Sequence, residues 1–168
     1  MKKVNCLLGF IIIGIAGTLW HFIYEWTGEN PVIGAIAPVN ESVWEHLKLL
    51  FFPALIYFII EYFLCREQYE NLIPADVIGI FIGMLTITAF FYTYSEILGY
   101  NVSALDILSY FLGLGVTLYI KSRILKKKSF SSKKAKYLSL ILTAVTAVLF
   151  FIWSVCPPRL GIFIPPVS

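Results

Sequence analysis

Charge is what this chain of 168 residues has least of: Asp, Glu, Lys and Arg together make up 14% of it. A water-soluble domain usually carries about 25%. With so small a supply a solvent-facing surface cannot be covered, which excludes a soluble enzyme and a solvated disordered tail. Cysteine is also scarce. Cys6, Cys65 and Cys156 are odd in number and have no metal-ligand spacing, so a disulfide scaffold is excluded and they read as small buried hydrophobes. Glycine shows no collagen period, and no repeat, linker or low-complexity tract is visible. There is no HExxH, GxSxG or paired CxxC.

Apolar residues fill the space. The AVILMFWYC class accounts for 59% of the chain and aromatics for 17%, with a mean hydropathy of +0.83. A bilayer crossing needs about 20 mostly apolar residues, and five such runs occur, at 4–24, 43–64, 75–94, 104–124 and 135–155. Backbone polar groups in lipid must be satisfied within the segment, so the runs are predicted to be helices. The fold class expected is an all-α integral membrane protein, a single bundle of five transmembrane helices. Met1-Lys2-Lys3 before an apolar run resembles a secretory leader, but no small-x-small cleavage site precedes a polar sequence, so an uncleaved first span is expected.

The basic residues orient the bundle. Lys2 and Lys3 precede the first run and Arg66 lies between the second and third. Eight of the thirteen Lys and Arg residues fall from Lys121 to Lys136, around the junction of the fourth and fifth runs: Lys121, Arg123, Lys126, Lys127, Lys128, Lys133, Lys134 and Lys136. With five spans these segments share one side, which puts the amino terminus in the cytoplasm and the carboxyl terminus outside a bacterial-type cell membrane. The basic segment from Lys121 to Lys136 reads as a topology anchor or a contact for anionic lipid headgroups. Nucleic-acid binding is not expected, because neither a folded scaffold nor an aromatic platform accompanies the charge. Gly79 and Gly83 form a GxxxG pair, a face for close helix packing within the chain or for an oligomer seam. Ser42 to Glu45 and Ser103 to Asp106 both fit capping boxes at helix starts. Pro53 should kink the second span.

Polar chemistry concentrates at the outer ends of the first two runs. Both histidines, His21 and His46, are there with Glu25, Glu29, Glu41 and Glu45. Near lipid such groups are costly, and they make a functional hypothesis by default. At about 100° per residue, Glu41, Glu45 and Lys48 fall within about 60° of one another if Glu41 is helical, while His46 lies about 100° round from Glu45. One helix therefore cannot offer all of these to one ion. The metal-ligand candidates are His21, Glu45 and His46, a set suited to zinc or a similar borderline ion. Glu25, Glu41 and Glu45 are candidates for acid–base chemistry, and Asn40, Lys48, Glu96 and Asp106 for binding. Three readings stay open: a structural polar network with Trp20, Trp26 and Trp44 as interfacial belt, a metal-dependent hydrolase or transferase acting on a lipid-linked substrate, and a small permease or accessory subunit. The apolar stretch 32–37 is too short to span and reads as a re-entrant turn or as a surface loop.

Trp20-His21-Phe22-Ile23-Tyr24, followed by Pro38-Val39-Asn40-Glu41-Ser42 and Trp44-Glu45-His46-Leu47-Lys48, resembles a family of small multipass membrane proteins of bacteria and archaea known only as a domain of unknown function. Cys156-Pro157-Pro158 is similar to that family's Pro-Pro-containing end. The resemblance extends over nearly the whole chain and implies the membrane fold without a mechanism.

Overall fold

The computed structural model describes residues 4–166; Lys2 and Lys3, used above for orientation, lie outside them. Helix α1 (Cys6–Trp20) opens on Asn5, whose side chain accepts a hydrogen bond from the Leu8 amide at 3.1 Å. At 1.5 Å per residue its 15 residues extend about 22 Å, short of the roughly 30 Å of a hydrocarbon core. The expected run 4–24 is thus interrupted. The chain turns at His21 and Phe22 before a single helical turn, α2 (Ile23–Trp26), and a second, α3 (Pro31–Gly34).

Four helices are long and apolar enough to cross a membrane: α4 (Val43–Cys65), α5 (Leu72–Leu98), α6 (Ser103–Lys127) and α7 (Lys133–Val155). They contain the four later runs read from the sequence. A 3-10 turn, Gly161–Phe163, follows α7, and no strand occurs among the described residues. Surface polarity is inverted relative to a soluble bundle. On α7, Ser139 and Thr146 are buried with Phe150, whereas Leu138, Ile141, Val145, Val148 and Ile152 face outward. A helix with its apolar side outward needs an apolar surround.

Small residues set the helix spacings. A Cβ on Gly79 would lie 2.6 Å from the Thr117 carbonyl oxygen, and one on Gly83 would lie 2.7 Å from that of Gly113. The GxxxG face of α5 is therefore filled by α6 of the same chain, the most extensive helix contact in the fold. Pro53, buried within α4, has no amide hydrogen to offer the Leu49 carbonyl. That carbonyl faces Gly17 of α1, where a Cβ would come within 2.6 Å. Proline on one helix and glycine on the other together bring α1 against α4. Ile13, Leu50, Phe51, Ala54, Leu114 and Phe150 form the centre of the core.

One expected cap is corrected. The residue capping α6 is Val102, in extended conformation and without a side-chain cap bond. Asp106 does not fold back on the helix start but accepts a hydrogen bond from the Tyr94 hydroxyl across the α5–α6 junction. A neighbouring phenol serves that carboxylate better than the helix start does.

Candidate functional site

Ser42 starts α4 in the expected way, its hydroxyl accepting from the Glu45 amide at 3.4 Å. The reciprocal half of the box is missing. The Glu45 carboxylate instead accepts from the Val39 amide at 3.0 Å and pairs with Lys48 Nζ at 2.7 Å. Lys48 is 0% exposed. Its ammonium also donates to the carbonyls of Gly34 at 2.7 Å and Ala37 at 3.1 Å and touches the Ser154 hydroxyl at 2.7 Å. Ser154 in turn lies 2.7 Å from Glu45 Oε1. The segment 31–42 is thereby tied into the protein, with Trp20 donating to the Ile36 carbonyl at 2.8 Å. Gly34, Ala37 and Pro38 are buried, while Pro31, Val32, Asn40 and Glu41 stay exposed.

Glu41 precedes the helix, so it is free of the 100° rule and swings to the other side. Its carboxylate lies 3.3 Å from His46 Nε2 and 3.7 Å from His21 Nε2, and the two imidazole centroids are 5.2 Å apart. One ligand atom from each of the three residues falls within 4.8 Å of the others. His46 Nδ1 faces the Ser42 carbonyl at 3.0 Å. A carbonyl only accepts, which assigns the hydrogen to Nδ1 and leaves Nε2 toward Glu41. There a second proton or a metal ion satisfies it, and a ring oriented through its other nitrogen is the usual arrangement of a metal-bound histidine. The His46 imidazole holds the Glu41 carboxyl below the usual carboxylate range, against the partial burial that pushes it up.

His21, Glu41 and His46 stand at one side of a cavity of about 460 Å³. Most of its wall is apolar: Leu49, Ile87, Phe91, Ile107 and Phe111 line it, with Asp106 the further charged side chain among the described residues. This volume lies in the range of small-molecule sites, roughly 300–1,000 Å³.

A second charged group is buried nearer the other end of the bundle. Lys121 of α6 is 0% exposed and ion-paired with Glu61 of α4 and, at 2.7 Å, with Asp76 of α5. Its ammonium also sits 3.8 Å from the centroid of the Phe58 ring.

The model of the Family of unknown function (DUF6512) matches residues 1–168. The chain belongs to DUF6512. No curated protein and no solved structure matches it.

The DUF6512 structure sorts the candidate residues cleanly. His21 and His46 do meet, joined by Glu41 and not by Glu45, because Glu45 is committed to Lys48 and Val39. Lys48 has no face left for a ligand. Asn40 accepts from the Ser42 amide at 2.9 Å and is exposed. Glu25 and Glu96 are exposed and join neither group. Lys121, counted from sequence with the headgroup-facing basic segment, is inside the bundle, whereas Lys126, Lys127, Lys128, Lys133 and Lys134 are exposed. Of the three tryptophans assigned to an interfacial belt, Trp26 is exposed, while Trp44 packs on Phe150, Trp153 and Phe163. Glu61, Asp76 and Ser154 went unremarked in the sequence. The signal was there for the two acids, each an ionisable residue inside an apolar run, where it costs most.

Proposed function

We propose that this DUF6512 protein is a multipass enzyme of the cell membrane that binds a divalent metal of the zinc class through His21, Glu41 and His46, and acts as a hydrolase or transferase on a lipid-linked substrate. The carrying observation is the convergence of two imidazoles and one carboxylate within 4.8 Å at an apolar cavity. Three protein ligands leave a coordination position open for water, the pattern of a catalytic zinc site. The metal would supply a bound hydroxide and polarise the electrophile it attacks. Asp106, on the same cavity and outside the ligand group, is the carboxylate placed to handle the proton. The apolar wall suits the hydrocarbon part of a lipid, with its head toward the histidines.

In this reading α1 and α2 make a fifth crossing, bent at His21 and Phe22, with the amino terminus cytoplasmic and the carboxyl terminus outside. The distribution of Lys and Arg supports that orientation, and the exposed lysines at 126–128 and 133–134 supply attraction to anionic headgroups.

Metal analysis of protein purified in detergent tests the site. The expected result is about one zinc or cobalt ion per chain on loading, lost in a His21→Ala, His46→Ala double variant and retained in Glu25→Ala. Wild-type protein that takes up neither ion would sink the reading.

A further inference from the structure

We propose that Glu61 and Asp76 hold one exchangeable proton between them beside Lys121, which makes the inner end of the bundle a proton-binding site. The charge count comes first. Two carboxyl groups face a single ammonium, and all three residues are buried: Glu61 is 6% exposed, Asp76 5% and Lys121 0%. Fully ionised, the group would keep one uncompensated negative charge in a low-dielectric interior, which is unfavourable. One added proton removes it.

Among the described residues no further cation pairs with the two carboxyls. Cys6 of α1 and Tyr57 and Cys65 of α4 are the further titratable side chains facing the group, and all three are neutral or negative. Lys126 of α6 is exposed and screened by solvent. From α7, Lys136 lies over the Tyr62 ring at 5.7 Å, not on the carboxylates.

The hydrogen bonding points the same way. Lys121 donates to Glu61 and lies over Phe58, whereas Asp76 Oδ1 is buried with no hydrogen bond made. That oxygen is within ion-pairing range of Nζ but off its bonding directions. A proton on one carboxyl gives the group an O–H donor, which the fully ionised group lacks, and leaves the other carboxylate matched with Lys121. Uptake forms that O–H from a solvent proton, and release returns it.

Access is short. Glu61 is four residues before the end of α4 and Asp76 four after the start of α5, so both lie about 6 Å along the axis from a helix end. Release of the proton has a structural consequence, because the group joins α4, α5 and α6 where they approach closely. A Cβ on Gly79 would sit 3.6 Å from that of Lys121. Deprotonation puts a net negative charge into that junction.

Infrared spectroscopy of the full chain in detergent or lipid nanodiscs reads the proton directly. Over a titration from acid to alkaline pH the wild-type protein should show one protonated carboxyl C=O band at neutral pH that shifts in D₂O and is lost at the alkaline end. Asp76→Asn, nearly isosteric, should abolish it, since the remaining Glu61–Lys121 pair is neutral. An indicator dye should register about one proton more per chain from the wild type than from Asp76→Asn on the same alkaline jump. Absence of the band throughout the range in wild-type protein would overturn the proposal, and that measurement needs no variant to fold. A band that survives in both Asp76→Asn and Glu61→Gln would also overturn it, as would one displaced by sodium at constant pH, which would assign the site to a metal cation.

Discussion

The two fully buried lysines make an informative pair. Lys48 faces one carboxylate, two backbone carbonyls and a hydroxyl, so its charge is matched one to one and two of its contacts hold the backbone of segment 31–42. Lys121 faces two carboxylates and an aromatic ring, so its charge is over-matched and its contacts all lie on helices. Burial alone therefore does not define what a buried lysine does. A matched cation with two backbone acceptors organises a segment whose own helix is a single turn. An over-matched one leaves a titratable remainder.

Removing each amine should separate the cases most sharply. Lys121→Met strands two buried carboxyls and should destabilise the protein by about 3–5 kcal/mol. Adding Glu61→Gln and Asp76→Asn should recover most of that loss in denaturation from detergent micelles. Lys48→Met should cost about 3 kcal/mol, yet Glu45→Gln should recover little, because the Gly34 and Ala37 carbonyls still lack their donor. Equal rescue of both lysine variants would erase the distinction. A smaller effect is expected at Ser154→Ala, about 1–2 kcal/mol from the lost hydroxyl bonds, with residues 31–42 becoming more accessible to protease while residues 66–71 are unchanged. The smallest is at Glu41, two-thirds exposed. Its carboxyl is held below its usual 4.5 in the folded state, so its stabilising pair is fully present above that value and is lost as pH falls through the lower, folded one. Glu41→Gln should lower the thermal midpoint of metal-free protein slightly at neutral pH and leave it unchanged in strong acid, so the slope between the two flattens.

Long helices were the legible part. Runs of about 20 apolar residues leave little choice in lipid, and α4 to α7 follow them within a few residues. The break at His21 and Phe22 was not legible, since hydropathy passes over two residues that stop a helix but do not change its polarity. The outer site was half legible. Both histidines stood out as the only two in the chain. Choosing between Glu41 and Glu45 required knowing that α4 begins at Val43, which releases Glu41 from helical geometry, and that Lys48 captures Glu45. The inner group was hidden for a different reason. Its members come from three helices, and Lys121 reads in sequence as one more member of a basic run. Only packing at Gly79 and Gly83 brings it to the acids.

The lock on segment 31–42 has a bearing on how the protein is made. Ser154 emerges from the ribosome 106 residues after Lys48. Until the last helix arrives, the early lysine lacks one of its partners and the early glutamate lacks the hydroxyl beside Oε1. Segment 31–42, made early in synthesis, thus reaches its finished setting only when the final helix arrives, so a chain truncated before Ser154 should leave residues 31–42 open to protease.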